Sequence, residues 1–187
     1  MNPSNKASAQ HPAAFLDRDG VLNIDRGYTH RPEQLEWIEG AQEAVRLLNE
    51  AGYYVLVITN QSGIARGYYD EATVKSFHVQ MQESLASHGA HIDAFYYCPH
   101  HPEGTIKPLA VRCRCRKPGP GMLEQAASEW PIDIGASFLI GDKDDDMAAA
   151  AAFNIRRIKF NSNIDSLPDL VRRELARHSD SQDRRHS

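Results

Sequence analysis

The sequence lacks the features of a membrane-spanning or exported protein. No apolar run approaches the ~20 residues that cross a bilayer, and residues 1–12 lack the apolar segment of a signal peptide. Cysteine is scarce, with 3 in 187 residues. We therefore expect a cytoplasmic protein that makes no contact with a membrane and whose cysteines stay reduced, without disulfides.

An excess of charge of one sign is also lacking. The chain has 21 basic and 25 acidic residues, which give a formal net charge of −4. So small a charge provides no general attraction to nucleic acid or to an anionic membrane. The hydrophobic fraction of 41% is that of an ordinary soluble globular protein. We expect a small-molecule substrate, no nucleic-acid partner and, because no apolar stripe favours assembly, a monomer.

Short apolar runs alternate with segments of helical periodicity along most of the chain. Strands are predicted at 13–16, 55–58, 94–97, 138–140 and 155–160, and helices around 41–48, 74–85, 122–130 and 147–153. This alternation predicts an α/β fold with a doubly wound, mainly parallel, Rossmann-like sheet. We expect one domain over 13–171, a flexible N-terminus over 1–12 and a disordered tail over 172–187.

The most informative motif is Asp-x-Asp-Gly at the end of the first predicted strand. Asp17 and Asp19 lie two residues apart, so both can face one site, and Gly20 lets the chain turn away. One carboxylate can attack phosphorus while the other transfers the proton of the leaving group. Two anions beside an anionic phosphate call for a divalent cation. Taken alone, the motif is also compatible with a simple acidic turn.

Three further motifs lie near the other strand ends. Thr59 and the backbone N–H groups that follow it can cradle a phosphate, and Lys117 can neutralise one. Asp142 and Asp146 belong to an acidic segment suited to a hard cation such as Mg²⁺. We expect Asp142 to bind the metal and Asp146 to support the loop. Each motif alone has an ordinary alternative: a polar turn, a solvated basic loop and a capped helix start.

All the cysteines lie in one candidate zinc site. The candidate ligands form two close pairs, C-x-H and C-x-C: Cys98, His100, Cys113 and Cys115. Three thiolates and one imidazole suit a tetrahedral structural Zn²⁺ ion, which would brace a long irregular loop. Because Cys115 precedes Arg116 and Lys117, the ion would anchor both basic side chains. Free cysteines are the alternative, and His101 is a second candidate for the imidazole ligand.

Together these motifs resemble those of the haloacid dehalogenase superfamily of phosphatases. The order of the motifs is the same: Asp17-x-Asp19-Gly, Thr59, Lys117 and Gly141-Asp142-x-x-x-Asp146. The resemblance implies that Asp17 is the nucleophile that forms an aspartyl-phosphate and that Asp19 is the general acid and base. It also implies Mg²⁺ ligands at Asp17, Asp142 and the Asp19 carbonyl. Thr59 and Lys117 would hold the transferring phosphoryl group.

Within that superfamily the chain resembles the heptose-1,7-bisphosphate 7-phosphatases. The segments that carry this resemblance are FLDRDG from Phe15, TNQSGIARG from Thr59, YYCPHHP from Tyr96, CRKP from Cys115 and GDK from Gly141. The resemblance implies removal of the 7-phosphate of D-glycero-D-manno-heptose 1,7-bisphosphate, in nucleotide-activated heptose synthesis for lipopolysaccharide core or related glycans. Histidinol-phosphate phosphatases share the zinc loop and the four motifs and are the alternative.

The resemblance also implies a set of substrate contacts. They are Asp25, Arg26, Gly27, Tyr28, Thr59, Asn60, Gln61, Ser62, Arg116, Lys117 and Lys143. Arg116 and Lys143 suit a bisphosphate, which carries a second anionic group beyond the one that is cleaved. The intervals between the motifs leave no room for a large cap domain, so short loops are expected to select the substrate.

Overall fold

The structure, a computed structural model, describes residues 10–183, which form a parallel β-sheet between helices. The strands are β1 (Ala13–Leu16), β2 (Tyr54–Asn60), β3 (Ala94–Cys98), β4 (Phe138–Gly141) and β5 (Arg156–Lys159). The helices are α1 (Ala41–Glu50), α2 (Glu71–Ala86), α3 (Gly121–Glu129), α4 (Asp144–Ala152) and α5 (Leu167–Asp183). Within these residues the strands pair in parallel in the order β3-β2-β1-β4-β5. The predicted α/β fold is confirmed.

Strand β1 shows why both faces of the sheet are covered. Ala14 and Leu16 belong to a core that includes α1, α2 and α5, whereas Ala13 and Phe15 belong to a second core with α3 and α4. Successive side chains of a strand point to opposite faces, so a continuous apolar run is buried only when both faces are covered. Burial of each large apolar side chain contributes about 1.5–3 kcal/mol, which favours this doubly wound arrangement.

Strand β2 and helix α4 extend beyond their predicted bounds. Strand β2 continues through Thr59 and Asn60, because both residues pair with β3. Helix α4 begins at Asp144, earlier than predicted, and Asp146 Oδ2 accepts a hydrogen bond from the backbone N–H of Lys143 at 2.9 Å. That hydrogen bond satisfies a donor at the helix start that would otherwise lack a partner. Both extensions bring residues of the acidic and phosphate motifs into regular structure.

The predicted disorder from Arg172 onward is wrong, because α5 continues to Asp183. Arg172 forms an ion pair with Glu43 of α1, and Glu174 accepts a hydrogen bond from Arg156 Nη2 of β5 at 2.8 Å. The charged residues that suggested a solvated tail therefore attach the helix to the domain. The part of the predicted tail after Asp183 lies outside the described residues.

Part of the predicted flexible N-terminus is also paired. The backbone N–H of His11 donates to the carbonyl of Pro131 at 2.9 Å, and the carbonyl of Pro12 accepts from Tyr54 at 2.9 Å. The prediction is therefore wrong for these two residues, which continue the chain of β1 in the N-terminal direction. The segment 1–9 lies outside the described residues.

The connections between strands in which a cap domain could lie consist of helices and loops. The chain from β1 to β2 contains a single-turn helix at Pro32–Gln34 and then α1, and the chain from β2 to β3 contains α2. Neither connection holds a further domain, so the prediction of a fold without a large cap is confirmed. Among residues 10–183, none of the helices combines the length and the apolar character that a membrane crossing requires.

Candidate active site

The polar residues singled out in the sequence meet at the carboxyl edge of the sheet. Asp17 follows β1, Thr59 lies near the end of β2, and Asp142 follows β4. Because the strands are parallel, their carboxyl ends share the edge at which open α/β sheets bind ligands. Asp17, Asp19, Thr59 and Lys117 line an open cleft of about 250 Å³ there. This cleft is the candidate active site.

Lys117 lies at the bottom of the cleft between two carboxylates. Its Nζ is 2.8 Å from Asp17 Oδ1 and 2.5 Å from Asp146 Oδ1, and it donates to the carbonyl of Ile58 at 3.0 Å. Burial raises the pKa of Asp17 to about 7, against the attraction of Lys117. Burial alone would lower the pKa of Lys117, but the two carboxylates raise it above its usual value. The lysine thus remains a fixed cation beside Asp17.

Three carboxylates form a group that could hold a metal ion. Asp17, Asp142 and Asp146 each offer one oxygen, and these atoms lie within 4.8 Å of one another. Asp142 Oδ1 is buried and has no hydrogen-bond partner in the described part of the chain. Burial raises the pKa of Asp142, and the nearby charge of Lys143 opposes that shift. Clustered carboxylate oxygens with a vacant acceptor fit a hard cation such as Mg²⁺. Asp146, predicted only to support the loop, belongs to this group as well.

The carboxylate of Asp19 lies outside that group and is held by three donors. Arg18 Nη2 lies 2.9 and 2.8 Å from its two oxygens, Asn23 Nδ2 lies 2.9 Å from Oδ1, and Gln61 Nε2 lies 3.1 Å from Oδ2. The side chain is therefore oriented while it still lines the cleft. The predicted metal contact of Asp19 involves its carbonyl, so this side-chain arrangement is compatible with it.

Two amides predicted to contact substrate are engaged with protein groups. Asn60 accepts from the backbone N–H of Lys117 and donates to its carbonyl, both at 3.0 Å. Gln61 is only 2% exposed, donates to Thr59 Oγ1 at 2.8 Å and accepts from Tyr69 Oη at 2.9 Å. Asn60 thus holds the backbone of the lysine motif, and Gln61 orients the threonine hydroxyl. Both side chains position other site residues.

The rim of the cleft contains most of the other predicted substrate contacts. It is lined by Asp25, Gly27, Tyr28, Ser62, Arg116 and Lys143. Arg26 does not line it, because its guanidinium forms an ion pair with Glu36. Lys143 Nζ donates to Asp25 Oδ2 at 3.0 Å. Burial alone would raise the pKa of Asp25, but the hydrogen bonds from Lys143 and from the backbone N–H of Gly27 lower it below its usual value. Arg116 Nη1 is buried and lacks a hydrogen-bond partner in the described chain.

The predicted zinc ligands converge at one point beyond the end of β3. Their atoms belong to Cys98, His100, Cys113 and Cys115. The sulfur atoms lie 3.2 to 3.4 Å apart, and His100 Nδ1 lies 3.6 and 3.4 Å from two of them. Such spacings suit a tetrahedral ion with ligand distances of about 2.0–2.3 Å, so the residues fit Zn²⁺. His101 instead lies 3.3 Å from Arg66 Nη2, outside the cluster.

The segment that carries three of these four residues, residues 99–116, is called the Cys/His loop below. Backbone hydrogen bonds join it and the end of β3 to the loop after β2. Gln61 donates to Cys98 at 2.8 Å, Ala65 donates to Pro99 at 3.1 Å, and Thr105 donates to Ala65 at 2.8 Å. The Cys/His loop therefore contacts the Thr59 motif and also leads directly into the Lys117 motif.

Sequence reasoning missed Arg18, Asn23 and Tyr69. Arg18 gave one usable signal, because a basic residue stood between the two aspartates of a buried motif. Asn23 and Tyr69 gave none, since their roles depend on how loops fold back. A Cβ atom at Gly63 would lie 2.2 Å from the ring of Tyr69, so that glycine admits the ring beside Gln61.

Comparisons with known proteins point to one family. Residues 14–101 match the family model described as haloacid dehalogenase-like hydrolase, and residues 114–180 match a HAD-hydrolase-like model. A D-glycero-β-D-manno-heptose-1,7-bisphosphate 7-phosphatase from Rhodopseudomonas palustris is 46% identical, over 91% of this chain and 96% of its own. The Yersinia pestis enzyme of that name is 49% identical over 77% of each chain.

A solved structure agrees with these sequence matches. It is the D,D-heptose 1,7-bisphosphate phosphatase from B. bronchiseptica, complexed with magnesium and phosphate. The two chains are 29% identical and superpose with a TM-score of 0.74, over 89% of this chain and 99% of the other. The likeness therefore extends over nearly the whole described fold.

Proposed function

Because this chain belongs to the D-glycero-β-D-manno-heptose-1,7-bisphosphate 7-phosphatase family of haloacid dehalogenase-like hydrolases, and is thus a phosphoric monoester hydrolase, we propose that it removes the 7-phosphate of D-glycero-D-manno-heptose 1,7-bisphosphate. The product would be the heptose 1-phosphate, which still carries an anomeric phosphate for nucleotide activation. The step would then serve nucleotide-activated heptose synthesis for lipopolysaccharide core or related glycans. We propose that the reaction takes place in the cytoplasm and that the enzyme is a monomer.

The observation that carries this proposal is the presence of cations at two levels of one cleft. Lys117 is buried beside Asp17, whereas Lys143 is half-exposed at the rim. Arg116 also lines the cleft and keeps a buried nitrogen without a partner in the described chain. A substrate with two phosphates needs one cation at the reacting group and others for the group that is retained. This arrangement therefore favours a bisphosphate.

Asp17 is the proposed nucleophile. Its Oδ1 accepts from the backbone N–H of Arg18 at 2.7 Å and contacts Lys117, and neither contact uses Oδ2. Oδ2 would attack phosphorus to form an aspartyl-phosphate, while Lys117 neutralises charge on the phosphoryl oxygens. Phosphoryl transfer depends mainly on alignment and charge neutralisation, which a buried lysine beside the nucleophile supplies.

Asp19 is the proposed general acid and base. Its carboxyl group would give a proton to the sugar oxygen as the bond from that oxygen to phosphorus breaks. The resulting carboxylate would then take a proton from the water that hydrolyses the aspartyl-phosphate. Thr59, oriented by Gln61, would donate its hydroxyl to the phosphoryl group.

The metal requirements follow from the two donor sets. The carboxylates of Asp17 and Asp142, with the carbonyl of Asp19, would hold Mg²⁺ next to Asp146, and the vacant Oδ1 of Asp142 supports this. When bound, the ion would offset the repulsion between the carboxylates and the substrate phosphate. The cluster of three thiols and His100 would hold Zn²⁺ in a structural role, with no part in the chemistry.

The proposal is tested by phosphate release in the presence of Mg²⁺ from heptose 1,7-bisphosphate and from histidinol phosphate, measured side by side. We expect a strong preference for the heptose, with one phosphate released per molecule. Preference for histidinol phosphate would overturn the substrate assignment but keep the chemistry. Asp17→Asn, which preserves shape and removes the nucleophile, should lower turnover by roughly 10³-fold or more. Near-full activity of that variant would overturn the aspartyl-phosphate mechanism.

A further inference from the structure

Arg18 is a charged residue with no exposed surface, although it lies within the catalytic motif. Its Nη2 atom lies 2.9 and 2.8 Å from the two oxygens of Asp19 and 2.6 Å from the carbonyl oxygen of Thr29. A single nitrogen thus joins the carboxylate of Asp19 to the backbone that follows the substrate loop at Asp25–Tyr28. None of the roles proposed above uses this side chain.

The rest of the guanidinium is fixed by packing. Its central carbon lies 4.6 Å from the centre of the Phe77 ring, and Phe77 is fully buried on α2. A cation over an aromatic face is favoured, and the planar guanidinium is better suited to this position than an ammonium group. The Nε and Nη1 atoms of Arg18 are buried and have no hydrogen-bond partner in the described chain.

Burial of a charge with unsatisfied donors is costly for the folded state. The remaining contacts of Arg18 therefore have to account for its presence, and the strongest is the one to Asp19. Asn23 and Gln61 also donate to that carboxylate, but both are neutral. Arg18 is the donor that carries charge and that also contacts Thr29, the residue directly after the substrate loop.

We propose that Arg18 is a positioning residue, which orients the carboxyl group of Asp19 toward the leaving oxygen and couples that orientation to the substrate loop. The inference rests on the general-acid role proposed for Asp19. In the step concerned, the proton moves from Asp19 to the sugar oxygen as the bond between oxygen and phosphorus breaks. Arg18 itself neither gives up nor accepts a proton.

The test uses the dependence of the rate on the leaving group. The parameter kcat/KM reports steps up to the first irreversible one, so it is sensitive to protonation of the leaving group and not to the later attack of water. An alcohol leaving group needs that proton, whereas p-nitrophenolate needs little help. We expect Arg18→Gln to lower kcat/KM for heptose 1,7-bisphosphate by roughly 10²-fold, the range of general acid catalysis, and for p-nitrophenyl phosphate by less than about 10-fold.

Three further variants complete the experiment. Arg18→Lys keeps a charged donor and should recover part of the loss, and Phe77→Leu, which removes the ring beneath the guanidinium, should give a weaker form of the same leaving-group dependence. Arg156→Gln is the matched control, because that arginine pairs with Glu174 far from the cleft. This variant should leave kcat/KM unchanged for both substrates. Retained p-nitrophenyl phosphate activity also shows that a variant is folded.

The outcomes separate this inference from the mechanism on which it depends. In an Asp19→Asn background, Arg18→Gln should cause little further loss, since the group that it orients is absent. If Asp19→Asn itself lowers kcat/KM for both substrates equally, the general-acid role fails. Asp19→Asn could lower kcat/KM more for the heptose than for p-nitrophenyl phosphate while Arg18→Gln lowers it equally for both. In that case Arg18 only supports the fold, and the positioning role is overturned.

Discussion

Two glycines determine how closely the acidic motifs approach each other. Gly20 has a φ of +92°, and a Cβ atom there would lie 2.3 Å from Asp142 Oδ2. A Cβ atom at Gly141 would lie 2.2 Å from the Cβ of Asp146. Gly20 therefore lets the first and last motifs share one candidate metal site, and Gly141 lets Asp146 fold back toward it.

Gly20→Ala should consequently damage the site more than the fold. The positive φ costs about 1–2 kcal/mol of stability, and the clash displaces Asp142 from the carboxylate group. A displacement of about 1 Å can cost about 10²-fold in rate, so turnover and Mg²⁺ affinity should both fall by that order. Gly52→Ala is the matched control, with a φ of +77° but nothing within 4 Å. It should lose similar stability and keep full activity. Equal activity of the two variants would contradict this account.

At the residue scale, the sequence predicts the side chains proposed to react with or bind the phosphate, but not the side chains that hold them in position. Asp17, Thr59 and Lys117 could be predicted because their types and their places at strand ends suit phosphoryl transfer. The amide of Asn60 was assigned to substrate, yet it clamps the backbone of Lys117, a residue far along the chain. Such contacts between distant segments leave no local pattern in the sequence.

Among the elements, the Cys/His loop has an effect beyond its own length. It is hydrogen-bonded to the loop that follows Thr59, and its last residues lead into Lys117. Loss of the proposed Zn²⁺ ion should therefore disturb both proposed phosphate contacts, Thr59 and Lys117, while the sheet beneath them stays intact. The sequence predicted the ligands and the link to Lys117, but not the link to the Thr59 loop.

Two adjacent histidines provide a matched test of the zinc prediction. His100 lies in the cluster, whereas His101 lies beside Arg66. His100→Ala should reduce zinc content by metal analysis and lower turnover about 10- to 100-fold, since misplacement of Lys117 is costly. His101→Ala should keep its zinc. Full activity of zinc-free His100→Ala, or equal zinc loss from both variants, would contradict the bracing role.

The elements also show where a sequence pattern fails. Helices α1 and α2 were predictable, because their apolar residues recur at helical spacing and Asp70 caps α2. Helix α5 was not, because its sequence is rich in Arg, Asp and Ser, the composition of a solvated tail. Its order comes from tertiary contacts, including two fully or nearly fully buried side chains, Leu167 and Val171.

On the scale of the whole molecule, one buried histidine should make stability depend on pH. His78 is 6% exposed, and its ring stacks on Phe95 with centroids 4.1 Å apart. Burial, with repulsion from Arg18, lowers the pKa of His78 to about 3. In the unfolded chain the pKa is near 6.5, so between these two values the unfolded state binds more protons. The free energy of unfolding therefore falls as the pH decreases from about 6.5 toward 3.

From pH 7 to pH 5 this histidine alone should lower the free energy of unfolding by about 2 kcal/mol. His78→Gln, which cannot take up the proton, should lack that portion of the loss. Urea unfolding of both proteins at the two pH values measures the difference. His88→Gln, the same substitution at an exposed histidine, provides the matched control. Identical pH slopes for wild type and His78→Gln would contradict the assignment.

For the molecule as a whole, the sheet, its two covered faces and the absence of a cap could be predicted from the sequence. Alternating apolar runs and helical patterns determine layers, and short intervals between motifs exclude an inserted domain. The side-chain connections across the cleft could not be predicted, because residues such as Asp25 and Lys143 lie 118 positions apart.

The ion pair between Asp25 and Lys143 has a consequence for the affinity of the cleft for phosphate. The ammonium of Lys143 already has an anionic partner in Asp25, so its positive charge is not free at this point of the cleft. A phosphate that bound Lys143 would exchange one anionic partner of the lysine for another, and its affinity there would reflect the difference in free energy between the two pairings. The freed carboxylate would then be available to a sugar hydroxyl. Binding of the phosphate by Lys143 would thus be coupled to binding of a sugar hydroxyl by Asp25.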